Sequence, residues 1–408
     1  MRREVFGLSV LFGTLSFLQG IGEPTTGLIT QPTQSLLKEW GSGAQEIATF
    51  VALLGGPWCL KPLCGLLCDF VPLAGYRRKS YLVVAAVATT VCFLGLYLLP
   101  LSSGARHVLF AALFLPALAI TFSDVVLDAM LIEAGQTLSI TGRLQSIAAG
   151  AGYAATLLTG VWGGLLSEEH HQQLGYLLCG GLMAMTSLLS VFYIREPRQS
   201  LPRPHFSSAR GVLWRTLRSP SVLCVGAFMF VWHFNPFSQS VLYLHMTSAL
   251  NFTEKSYGAT VSWAACGSIG ACVLYGFYCR KVPMRWLVPG AIVCGVVSTL
   301  AYWHLVNGQW ATSVSVLAGF TYMTAIMIQL DLAARACPLS AAGTVFAIFM
   351  AVSNVSALLS TWLGGYWYEF GSQHWDSATA FSALLAGSAL CTFASWFAAR
   401  RLPRELLA

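Results

Sequence analysis

Charge is what this sequence has least of. Asp, Glu, Lys and Arg make up only 10% of its 408 residues, against about 25% in a typical soluble domain. Hydrophobic residues make up 56%. A coat so poor in charge excludes a water-dispersed globular protein of this length, so lipid is the expected solvent for most of the chain. Catalytic signatures are missing as well. There is no G-x-x-x-x-G-K-S/T loop to cradle a nucleotide's phosphates, so ATP is not expected to drive the protein directly. Zinc-protease and serine-elbow patterns are absent. Asp124 and Asp128 share one helix and do not resemble two catalytic aspartates from opposed segments. An enzyme is therefore not expected.

Metal and nucleic-acid signals are equally thin. Of the twelve cysteines, Cys64 and Cys68 are one helical turn apart, but no second pair or His cluster joins them. Cys92, Cys179, Cys224, Cys266, Cys294 and Cys391 lie inside apolar runs, where they act as small apolar side chains. No metal and no cofactor is expected. The net charge of +7 does not imply nucleic acid, because the 23 Lys and Arg form no stripe or clustered face. The opening Met1-Arg2-Arg3-Glu4 leads into an apolar run longer than an h-region of about 7–15 residues, so no cleaved leader is expected.

What is present is a series of long apolar runs. A helix needs about 20 apolar residues to cross the hydrocarbon core. Spans are predicted near 6–28, 45–67, 81–100, 108–133, 144–166 and 174–194, then near 221–244, 258–279, 286–305, 310–334, 342–365 and 379–399. The gaps alternate in charge. One side collects nineteen basic residues, among them Arg77, Arg78, Lys79, Lys281, Arg285, Arg400 and Arg401, and the other only Lys38, Arg106 and Lys255. Basic residues stay on the cytoplasmic side, so both termini are expected there, in a plasma or inner membrane. Segment 195–220 holds six of the nineteen arginines and lysines and three early prolines. It reads as a cytoplasmic linker between bundles at 1–194 and 221–408, its arginines meeting anionic headgroups.

The two halves echo each other. Gly22-Glu23-Pro24 in the first span has its counterpart in Asn235-Pro236 of the seventh, and Asp128 in the fourth has Asp331 in the tenth. Gly142 precedes Gly163-Gly164 by the same interval that separates Gly343 from Gly364-Gly365. Duplicated halves of this kind are a transporter signature. The expected fold is all-α: twelve transmembrane helices in two pseudo-symmetric six-helix bundles. Each proline removes a backbone bond, so Pro24 and Pro236 are predicted to mark bends facing a polar path.

Gly65, Asp69, Gly75, Arg77, Arg78 and Lys79 resemble the G-x-x-x-D…G-x-R-R/K loop of the major facilitator superfamily. The longer string KPLCGLLCDFVPLAGYRRKSYL at 61–82 is similar to the folate–biopterin transporter family within it. So are Gln19-Gly20, SDVVLDAMLIEAG at 123–135, Gly142-Arg143-Leu144-Gln145-Ser146, LDLAARACP at 330–338 and GTVFAIFMAVSNVSALLSTWLGG at 343–365. The resemblance spreads over the whole chain. It implies a twelve-helix fold and uptake of folates or pterins coupled to protons.

A charge at the bilayer centre costs roughly 2.5–3.5 kcal/mol on insertion scales, so each one needs a reason. Lys61, Asp69, Arg78, Asp124, Asp128, Glu133, Asp331 and Arg335 are the candidates for proton coupling or an inner gate, with structural pairing as the plainer alternative. Asp124 and Asp128 share a helical face, and neighbouring carboxylates resist double ionisation. Asp331 and Arg335, four apart, are positioned to pair. Substrate candidates nearer the midplane are Gln19, Glu23, Trp232, Asn235, Gln239 and Asn354; an aromatic there is more often packed between helices than stacked on a ligand. The leading expectation is a symporter of folate, pterin or a related small organic anion, working as a monomer by alternating access. A same-fold carrier of another metabolite, such as an amino-acid or nucleoside conjugate, is the alternative.

Overall fold

The computed structural model describes residues 2–71, 73–76, 78–99, 102–138, 141–169, 171–194, 196, 218–278, 281–305, 308–337 and 342–407. All regular structure among them is helical, apart from one isolated bridge between Leu73 and Tyr76. Among the described residues ten helical stretches are long and apolar enough to cross a membrane. The chain is an integral multi-pass membrane protein. Its contacts divide it into two compact units, residues 1–41 with 63–204 and residues 42–62 with 205–408.

The first unit contains α1 (Arg2–Gly22), α2 (Thr30–Glu39), most of α4 (Lys61–Phe70), α5 (Lys79–Leu98), α6 (Arg106–Leu138), α7 (Thr141–Glu168) and α8 (Gln172–Tyr193). Helix α1 packs on α6, α7 and α8, and α5 packs on α6 and α8. Phe12, Leu15, Leu82, Val126, Leu127, Leu131 and Leu144 form its core. Helices α1, α5, α6 and α8 are long and apolar enough to span a membrane, and a helix satisfies its own backbone hydrogen bonds there.

The second unit contains α3 (Ala44–Leu54), a 3-10 turn at Gly56–Leu60, α9 (Pro220–His233), α10 (Gln239–Leu244), α11 (Glu254–Tyr278), α12 (Met284–Leu300), α13 (Gly308–Ala336), α14 (Ala342–His374) and α15 (Ser377–Ala399). Helix α3 packs on α14, α9 lies against α14 and α15, and α13 lies against α11 and α12. Its core runs from Val222 and Phe228 through Trp232 to Ala291, Leu332 and Phe349.

The helices follow most of the predicted spans, with several differences. The first span does not end near residue 28 but breaks and continues as α2. That helix was hidden because Gln31, Thr33, Gln34 and Ser35 are buried on it; its interior face is polar, so a hydropathy window passes over it. The second span is interrupted by the 3-10 turn carrying Pro57. The eleventh runs on to His374. Helix α7, and the pair α9 and α10, are not among the ten apolar spans; α9 is apolar but only 14 residues long. The linker reading falls on 195–220, most of which lies outside the described residues.

Candidate functional site

Both predicted bends are breaks. Proline lacks the N–H that would continue the helix, and its ring crowds the preceding turn. Helix α1 stops at Gly22 and α2 starts at Thr30; α9 stops at His233 and α10 starts at Gln239. The two breaks close by the same local device. The Glu23 carboxylate accepts the N–H of Thr25 at 3.1 Å and its hydroxyl at 2.5 Å. The Asn235 Oδ1 accepts the N–H of Phe237 at 3.0 Å. In both, the side chain before proline satisfies the donor two residues on, which is how such residues stabilise turns.

Each break also leans on the glycine doublet of its own half. A Cβ on Gly163 would lie 3.2 Å from the Leu28 carbonyl oxygen, and one on Gly364 would overlap the Pro236 carbonyl. The equal spacing seen in the sequence therefore marks the place where a helix backbone touches a broken one.

The two breaks differ in their anchoring. Asn235 donates its amide to Thr299 Oγ1 at 2.9 Å and Thr392 Oγ1 at 3.3 Å, on α12 and α15. With Oδ1 also engaged, the side chain is a tie between helices. Glu23 is only 4% exposed.

Gln19, a substrate candidate, and Asp124, a proton candidate, meet in the first unit. Gln19 Nε2 donates to Asp124 Oδ1 at 3.2 Å and lies 3.4 Å from the Ile120 carbonyl. Beside Gln19 is a cavity of about 10 Å3, lined in part by Thr89, Ser123 and Thr186; that is room for about one water. Asp128, one turn further along α6, is exposed, whereas Asp124 is half-buried. The two carboxylates thus occupy different surroundings despite their shared spacing.

In the second unit Asp331 pairs with Arg335, with Nε and Nη2 both at 3.3 Å, and also accepts the Tyr275 hydroxyl at 3.2 Å. The pairing was legible in the spacing; Tyr275, 56 residues away, was not. Lys61 and Asn354 converge on Trp58. The Lys61 ammonium sits 4.5 Å above its ring, and Asn354 Nδ2 donates to its carbonyl at 3.0 Å. Gln239 is exposed, with Oε1 at 3.3 Å from the Tyr257 hydroxyl. Trp232 is 4% exposed and packs in the core against Gly295, so its ring has no open face for a ligand.

The loop carrying Gly75 is a two-residue hairpin. Leu73 and Tyr76 exchange both backbone hydrogen bonds, and Ala74 and Gly75 have φ of 54° and 81°. Positive φ at both positions defines the tight turn that glycine permits. Arg78 is 7% exposed. Its N–H and that of Lys79 donate to Glu196 at 3.2 and 2.8 Å, while Lys79 Nζ donates to the Val191 and Ile194 carbonyls at 2.7 and 2.9 Å. The start of α5 and the end of α8 therefore cap each other, satisfying groups that helix ends leave open. The side chains of Asp69 and Glu133 lie outside the described residues.

Sequence reasoning also missed His245. It lies in a π-helical turn at His245–Ala249, is 3% exposed, stacks on Phe381 at 3.8 Å and places Nδ1 3.0 Å from the Tyr368 hydroxyl. A lone histidine in an apolar run gave no signal of these partners. Among the described residues no cluster of His, Cys, Asp and Glu could hold a metal ion, and no disulfide joins the cysteines.

Long apolar helices, two of them broken at prolines, make this a polytopic membrane protein. Solved structures share its fold. The nucleoside transporter NupG superposes with a TM-score of 0.74 at 14% identity, covering 96% of this chain and 98% of that one. A D-xylose–proton symporter superposes with a TM-score of 0.71 at 13% identity, covering 95% and 97%. The fold is that of the major facilitator transporters. Within that class the chain belongs to the BT1 family, whose pattern matches residues 19–398. It is 27% identical over 384 residues to the folate-biopterin transporter of Synechocystis sp., covering 90% of this chain and 74% of that protein.

Proposed function

We propose that this transporter carries folate, a pterin or a related small organic anion by alternating access, coupled to protons. The substrate class rests on the likeness to the Synechocystis folate-biopterin transporter over nine-tenths of the chain. The coupling rests on one contact, the hydrogen bond from Gln19 to Asp124 within an apolar unit. An ionised carboxylate holds the Gln19 amide; protonation removes the charge and weakens the bond, because charge-assisted hydrogen bonds are roughly twice as strong as neutral ones. Gln19 is then released for a substrate whose heterocycle presents paired donors and acceptors. In this reading twelve helices form bundles at 1–194 and 221–408 joined by a cytoplasmic linker at 195–220. Both termini are cytoplasmic, the membrane is a plasma or inner membrane, and the protein works as a monomer.

The test is uptake of labelled folate and of a pterin into proteoliposomes, with and without a pH gradient. Gradient-driven accumulation is expected in the wild type and its loss, with downhill exchange retained, in Asp124→Asn. No uptake of either compound overturns the substrate assignment in favour of another metabolite. Undiminished gradient dependence in Asp124→Asn overturns the coupling role.

A further inference from the structure

One end of the second unit carries an unneutralised cluster of cations. Lys281, Arg285, Arg400, Arg401 and Arg404 gather where α12 begins and α15 ends, with Glu405 the acid among them. None of the five is in an ion pair with a described residue. Two of them, Arg285 and Arg400, border a cavity of about 120 Å3 whose remaining walls include Val288, Pro289, Ile292 and Trp396. Arg285 stands in the first turn of α12, where the positive end of the helix dipole disfavours a cation. An anion between the two guanidiniums removes that conflict.

The backbone is already committed. The Arg285 N–H donates to the Leu407 carbonyl at 2.9 Å, folding the chain's end over the start of α12. Recognition therefore falls to the side chains. Guanidinium groups match phosphate oxygens in forked geometry. At about 120 Å3 the cavity is well below the roughly 300–1,000 Å3 of a site that engulfs a drug-sized ligand. A soluble ligand would be left mostly uncovered; a lipid would not, because its chains continue into the bilayer. Pro289 and Trp396 supply the apolar side of such a contact, and basic pockets between membrane helices bind anionic headgroups.

We infer that the cleft between α12 and α15 is a binding site for an anionic phospholipid, its phosphate held between Arg285 and Arg400 and its proximal chain on Pro289 and Trp396.

Lipid retention by the purified full-length chain, read by native mass spectrometry after exchange between phosphatidylglycerol and phosphatidylcholine, tests this. The wild type is expected to retain phosphatidylglycerol selectively. Each arginine near a headgroup contributes about 1 kcal/mol, which for two is about thirty-fold in affinity, so Arg285→Gln/Arg400→Gln should lose about that factor. Arg401→Gln/Arg404→Gln removes the same charge outside the cavity and should keep the selectivity. Equal loss in both double variants, or equal retention of the two lipids, overturns the site. Displacement of the lipid by millimolar inorganic phosphate overturns the lipid assignment in favour of a free-anion site. A second readout needs no arginine variant: brominated phosphatidylglycerol should quench tryptophan emission more than brominated phosphatidylcholine. That difference should shrink in Trp396→Phe; an undiminished difference there counts against the site.

Discussion

The two broken helices solve one problem with different chemistry. In the first unit an ionisable side chain, Glu23, closes the break onto its own segment through Thr25. In the second a neutral side chain, Asn235, closes it and at the same time ties α12 and α15 together. The glycine supports differ in degree: a methyl at Gly163 would crowd Leu28, whereas one at Gly364 would overlap Pro236. Duplication explains why both breaks exist. The second break is tied to two neighbouring helices through Thr299 and Thr392, and its glycine support leaves no room at all.

The contrast is sharpest at the glycines. Gly364→Ala forces a methyl into the Pro236 carbonyl and should destabilise by about 3 kcal/mol, at the upper end of overpacking costs. Gly163→Ala meets its carbonyl at 3.2 Å and should cost about 1 kcal/mol. Thermal unfolding of both variants in the same detergent gives the ordering. Equal shifts would mean that the two close approaches are equally hard to relax.

Next in size is the tie itself. Asn235→Ala removes three hydrogen bonds, each contributing about 0.5–1.5 kcal/mol net, so a loss of about 2 kcal/mol is expected. At the other break Glu23→Gln keeps an oxygen acceptor for Thr25, and should cost less than Glu23→Ala. If Asn235→Ala unfolds at the wild-type midpoint, the tie to Thr299 and Thr392 contributes nothing.

The charged pairs extend the comparison with a smaller effect. Asp331 and Arg335 are partly exposed, at 30% and 38%, and exposed pairs contribute no more than about 1 kcal/mol. Asp331→Asn should therefore leave the thermal midpoint nearly unchanged, while a gate role would show as an altered transport rate. A stability loss as large as that of Asn235→Ala would make the pair part of the scaffold instead.

What the sequence made legible follows from physics that acts locally. Apolar length predicts a span because backbone hydrogen bonds must close within it, and proline predicts a break because it has no N–H. The Asp331–Arg335 pair follows from helical spacing. The illegible parts are of two kinds. Helix α2 is polar on its buried face, with Thr33 meeting Tyr176 at 3.2 Å and Glu39 meeting Gln172 at 2.8 Å, so burial there does not read as hydropathy. Contacts across many residues leave no local trace. Glu196 caps α5 from 117 residues away, and Gln19 reaches Asp124 across 105. Both members of that last pair stood out as costly or polar within a span, but only folding joins them.

The smallest effect concerns how the second unit closes its helix starts. Ser219 and Ser238 cap α9 and α10 with hydroxyls, each at 3.4 Å from the N–H three residues on, and these do not titrate. Asp376 caps α15, its Oδ2 accepting the Thr379 N–H at 3.0 Å. Hydrogen bonds from the side chain and backbone of Thr379 hold the Asp376 carboxyl below its ordinary value. A depressed folded value means the cap's contribution is complete above the ordinary carboxylate range and disappears as pH falls through the lower, folded one. Asp376→Asn keeps an acceptor, since Asn caps as well as Asp, but has no proton to gain. Wild type and variant should thus share one pH dependence at neutral pH and diverge only in acid, with the wild type losing its cap. Thermal midpoints between pH 7 and pH 3 would reveal this as a small difference between two otherwise parallel curves. Parallel curves throughout would mean that the cap at the start of α15 contributes nothing to the acid sensitivity of this unit.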